Sequence, residues 1–69
     1  MFDKYRLEYE MKSRGITQEK LCNDLEISKS AFIRKCNGRS EFTLKEINQI
    51  VAYLGLGTPM DIFFADKVS

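Results

Sequence analysis

Apolar side chains recur along the chain at helical rather than alternating spacing, and the breaks between them mark out five segments. Leu7 and Met11, four apart, define the inner face of a first helix predicted over Phe2 to Arg14, extended towards its start by Phe2 or Tyr5 and closed by a left-handed Gly15. Tyr9 reads as a half-exposed packing residue, with Glu8, Glu10 and Lys12 on a solvated surface. Thr17 and Ser28 each offer a side-chain oxygen to the open amides of a following helix, which predicts helices over Gln18 to Leu25 and Lys29 to Cys36. Between them lies a tight turn, Glu26-Ile27-Ser28. Leu21, Leu25, Ile27, Phe32 and Cys36 then fall on the facing sides of two crossed helices, and Cys22 is small enough to let the backbones approach.

Gly38 ends the third helix, and Arg39-Ser40-Glu41-Phe42 forms a loop whose Phe42 is expected to tuck into the core. Thr43 and Glu46 make a capping box: threonine caps the next helix and glutamate, three residues on, reaches back to the threonine amide. Leu44, Ile47, Val51 and Leu54 give that helix its apolar stripe, Ile50 widens it and Gly55 stops it. The last helix is expected to open at Thr58-Pro59, with the proline at the first helical position, and to run to about Ala65. Of Ile62, Phe63 and Phe64, one or two should enter the core and the rest should form a surface patch. The pattern is all-α, with no room for a pair of strands.

Charge changes this picture at one place. From Ile27 to Ser40 the charged residues are Lys29, Arg34, Lys35 and Arg39, all basic; the chain totals +1, so the remainder sums to −3. The stretch from Thr17 to Gly38 matches a helix-turn-helix, whose second helix lies in the DNA major groove. A near-neutral protein has gathered its positive charge on that helix and the turn after it.

Length and composition narrow the class further. Residues 1–69 make one domain with one core, and a chain this short buries only roughly 60% of its unfolded surface, so dimerisation is a natural way to bury more. No apolar run approaches the length of a membrane span and no signal-peptide pattern opens the chain, so the expected location is cytoplasmic. Cys22 and Cys36 read as small buried thiols, with a disulfide as the alternative. With no histidine and two cysteines the usual tetrahedral zinc site cannot be assembled. Neither a glycine-rich phosphate loop nor a nucleophile beside a base is present, and Asp24 and Glu26 read as surface charge; no enzyme activity and no cofactor are expected.

The ordered set Gly15-Ile16-Thr17-Gln18, Leu21-Cys22, Leu25-Glu26-Ile27-Ser28 and Phe32 through Asn37-Gly38 resembles the Cro/repressor-type (XRE-like) helix-turn-helix family. Ser40-Glu41-Phe42-Thr43, Glu46-Ile47 and Ile62-Phe63-Phe64 look like its short phage-encoded Cro-like members, and the resemblance covers about Leu7 to Phe64. It implies a five-helix, lambda-repressor-like DNA-binding domain that regulates transcription, as a phage or prophage repressor reading a palindromic double-stranded operator. Three positions depart from the family pattern. Glu26 stands where the turn usually holds glycine, and Cys22 stands where a small residue, commonly alanine, is usual. Met11 and Cys36 occupy positions that in some members carry a buried Arg-Glu pair joining the first helix to the end of the recognition helix; an apolar contact between the two is expected instead.

At about 100° per residue, Phe32 and Cys36 point one way on the third helix while Ser30 and Arg34 point the other, flanked by Ala31 and Ile33. Arg34 suits paired hydrogen bonds to a guanine, Ser30 suits several base edges, and Ala31 or Ile33 suits a thymine methyl; Lys29 reaches a base or a phosphate. The resemblance assigns phosphate contacts to Gln18, Asn37 and Arg39, with Thr43 and Lys35 beside them. A dimer would set two recognition helices about 34 Å apart. Tyr53, Leu56, Ile62 and Phe64 are the apolar side chains hardest to place in one core and so the expected interface. No small-molecule ligand and no membrane partner are expected. The rival reading is a protein-binding module of the antitoxin or antirepressor type, favoured by an apolar Ile33 beside Arg34.

Overall fold

The computed structural model describes residues 1–67, with Lys67 described by its backbone alone. Its helices are α1 (Lys4–Ser13), α2 (Gln18–Leu25), α3 (Lys29–Cys36), α4 (Leu44–Leu54) and α5 (Met60–Phe63), followed by a 3₁₀ turn over Ala65–Lys67. There is no strand among the described residues. Each of the three central helices is opened by the hydroxyl anticipated from the sequence: Thr17 accepts from the Lys20 amide, Ser28 from Ala31, and Thr43 from Glu46, each at 3.1 Å. The Glu46 carboxylate completes the capping box by accepting from the Thr43 amide at 2.9 Å.

α1 starts two residues later than expected, because Asp3 caps it by accepting from the Tyr5 and Arg6 amides. Residues 1–3 instead run extended along the far end of the chain: the Asp3 amide donates to Ile62 at 2.7 Å, and Met1 accepts from Ala65 at 3.0 Å. Phe2 is thereby freed from the helix and set against the core. α5 is likewise shorter than expected. Thr58 accepts from the Met60 amide, but Phe64 leaves helical geometry at φ −133°.

The core gathers Leu7 and Met11 from α1, Leu21, Cys22 and Leu25 from α2, Phe32 from α3, and Ile47, Ile50 and Leu54 from α4, closed by Ile62 and Phe63. Burying a side chain of this kind is worth about 1.5–3 kcal/mol, so this one cluster is the main source of stability. Phe42 does tuck inward. Its ring centroid lies 4.9 Å from Phe2, 5.4 Å from Phe63 and 6.1 Å from Phe32, which pins the loop between α3 and α4 to three separate parts of the chain. Two expectations fail here. Leu44, placed in the α4 stripe by spacing, is 69% exposed, since it opens the helix and the core begins one turn later. Tyr9, expected to be half-exposed, is out in solvent with the Arg6 guanidinium over its ring.

The turn between α2 and α3 is built on a left-handed Glu26, at φ 59° and ψ 38°. An L residue with a Cβ pays about 1–2 kcal/mol there. The Glu26 and Ile27 amides nevertheless close the end of α2 onto Asn23 and Cys22 at 3.2 and 3.1 Å.

Candidate nucleic-acid interface

α3 presents two unlike faces. Phe32 is 1% exposed and anchors the inner side, with Cys36 half-buried one turn on. Lys29, Ser30, Ile33 and Arg34 are exposed and Ala31 is half-buried, so four of the five side chains nominated for base reading form a solvent-facing strip, with Ala31 at its edge. Ile33 keeps 42% of its surface in water and so offers an apolar contact point beside Arg34. No acidic side chain among the described residues forms an ion pair with Lys29, Arg34 or Arg39. The pairs that do form lie on α1, within α2, between Met1 and Asp66, and between Lys35 and Glu46.

The segment following α3 folds back onto it. The Asn37 amide donates to Ile33 at 3.0 Å, Gly38 takes φ +79°, and the Arg39 amide donates to Arg34 at 2.9 Å. Arg39 and Asn37 are exposed beside the strip. Gln18, half-buried at the start of α2, lines with Asn37 a cleft of about 510 Å³ between α1 and α3. Two of the nominated phosphate contacts, one opening α2 and one capping the end of α3, therefore border the same cleft. Thr43 is exposed at the head of α4.

Lys35 is a correction. Its ammonium nitrogen lies 2.5 and 2.6 Å from the two carboxylate oxygens of Glu46, and the two side chains keep only 15% and 12% of their surface. An ammonium held in this way is not free for a phosphate. Spacing gave no hint, because eleven residues separate the partners and Glu46 already had a role in the capping box. Burial pushes the Glu46 carboxyl up, but the hydrogen bond from Lys35, the Thr43 amide and the charge on Lys35 outweigh it and hold the group below its ordinary value.

Met11 and Cys36 line the same cleft, Met11 buried and Cys36 half-buried, so neither stands in solvent where the family's ion pair is replaced. Both cysteines are free thiols. Burial, reinforced by Cys22 and Glu8 and opposed by Lys4, pushes the Cys36 thiol up to about 11. Of the nominated interface residues, Tyr53, Leu56 and Phe64 are half-buried at the surface of the core. Ile62 is corrected: at 1% exposed it belongs to this chain's own core, held by the bond from the Asp3 amide to its carbonyl.

Among the described residues no group of three or more His, Cys, Asp or Glu side chains could hold a metal ion, and no helix is long and apolar enough to cross a membrane. A family model described as a Cro/C1-type HTH DNA-binding domain matches residues 6–66. Neither a curated protein nor a solved structure matches the chain.

Proposed function

The chain belongs to the Cro/C1-type HTH DNA-binding domain family, and from that premise we propose that it is a phage or prophage Cro-like repressor that reads a palindromic operator through the major groove. The observation that carries this reading is the exposed strip of α3, opposite a fully buried Phe32, with Lys29, Arg34 and nearby Arg39 outside every ion pair among the described residues. Arg34 reads a guanine, Ser30 and Ala31 contact neighbouring base edges, and Ile33 packs on a thymine methyl, which would relieve its exposure. Gln18, Asn37, Arg39 and Thr43 hold the phosphates on either side, and the opening amides of α2 add partial positive charge there.

A second copy supplies the other half-site through Tyr53, Leu56 and Phe64, in the cytoplasm and without a cofactor or small-molecule ligand. Titration of a duplex at several salt concentrations tests the DNA reading. Neutralising each phosphate contributes about −0.9 to the slope of log affinity against log salt, so Arg39 alone predicts about −1 per protomer and Arg39 with Lys29 on a phosphate about −2. A flat dependence would contradict it. The 42% exposure of Ile33 beside the apolar cleft also favours a second reading, a protein-binding antitoxin or antirepressor module, and a flat salt dependence would turn the balance towards it.

A further inference from the structure

The Lys35–Glu46 pair joins the two parts of the surface that must act together on DNA. One Glu46 oxygen accepts both from the Lys35 ammonium, on the last turn of α3, and from the Thr43 amide, at the head of α4; the second oxygen also accepts from Lys35. Between these anchors runs the segment that carries Asn37, Arg39 and Thr43. Its first part is tied to α3 by the Gly38 and Arg39 amides; beyond Arg39, the Glu46 bond to Thr43 and the ring contacts of Phe42 fix where it goes. Arg34 is the residue immediately before Lys35.

Stability alone is a poor reason for this arrangement, because a buried ion pair contributes little more than apolar side chains of similar size would. Its geometry points to another role. We propose, resting on the DNA-binding reading above, that Glu46 is a positioning residue for operator recognition: it fixes the offset between Arg34 and the phosphate-holding segment, and it withholds the charge of Lys35 from the DNA. Sequence-independent affinity is thereby kept lower than the basic residues of α3 would otherwise make it, while the contacts that discriminate between sequences stay in register.

The test compares the wild type with Glu46→Gln and with the double variant Lys35→Met, Glu46→Gln. Glutamine keeps an oxygen for the Thr43 amide but no charge to hold the ammonium, and in the double variant no ammonium is stranded. Each protein, its folding checked by circular dichroism, is titrated with a duplex of arbitrary sequence over a range of salt and with a site selected from a random library. Glu46→Gln should steepen the salt slope by about 0.9 per protomer and lower the ratio of selected to arbitrary affinity about tenfold. The double variant should return the slope to the wild-type value and leave the ratio low. A folded Glu46→Gln protein with either slope or ratio unchanged overturns the proposal. If that variant is unfolded, the double variant decides, a low ratio supporting and a wild-type ratio overturning it. A wild type with no salt dependence would instead remove the DNA reading itself, so the two failures are distinct.

Discussion

The Arg39 amide donates to the Arg34 carbonyl at 2.9 Å, so the residue assigned to a base and the residue assigned to a phosphate share one backbone frame. Their side chains nevertheless have separable jobs. Arg34→Ala should cost about 1–3 kcal/mol on the selected site and relax preference at one base pair, whereas Arg39→Ala should weaken all duplexes alike and reduce the salt slope by about 1. Titrations of both variants on matched and mismatched duplexes check this.

Acid should unfold the domain partly through Glu46. Its carboxyl is held below the ordinary value in the folded chain, so its contribution is complete above the unfolded value of about 4.3 and is lost as pH falls through the lower folded one. Denaturant midpoints measured from pH 7 down to pH 3 should fall in that acid range. Glu46→Gln should flatten the fall, starting from a lower stability at pH 7.

Glu26→Gly should stabilise the domain. The left-handed backbone at φ 59° costs a residue with a Cβ about 1–2 kcal/mol, and the added freedom of glycine in the unfolded chain takes back about 0.5–1 of that. The net gain should lie between about 0 and 1.5 kcal/mol in urea unfolding, with the α2–α3 turn unchanged.

Cys36 should be slow to alkylate. A thiol pushed up to about 11 holds little thiolate at pH 8, and Cys22, only 4% exposed, is further shielded. Iodoacetamide followed by mass spectrometry should show reaction on the order of 100-fold slower in the folded chain than in denaturant, judged by the thiolate fractions.

The central helices were legible because their signals are local. Thr17, Ser28 and Thr43 cap the helices that follow within three residues, so α2, α3 and α4 begin where the hydroxyls indicate. The start of α1 was not legible, since Asp3 takes the cap while its own amide is committed to Ile62, at the other end of the chain. Leu44 shows the limit of periodicity: a stripe says which face is apolar but not where along the helix the core begins. At the candidate site, the outward face of α3 followed from 3.6-residue geometry around Phe32. Lys35 escaped because a charge is silent in sequence about its partner when that partner lies on another helix.

The most direct test of the account is selection of bound sites from a random duplex library at one stated salt concentration, carried out with the wild type and with Arg34→Ala. The wild type should yield a two-fold symmetric consensus, and Arg34→Ala should lose preference at one position in each half while keeping the rest. Identical consensus sequences from the two proteins, or none from the wild type, would contradict the claim that the exposed strip of α3 reads DNA.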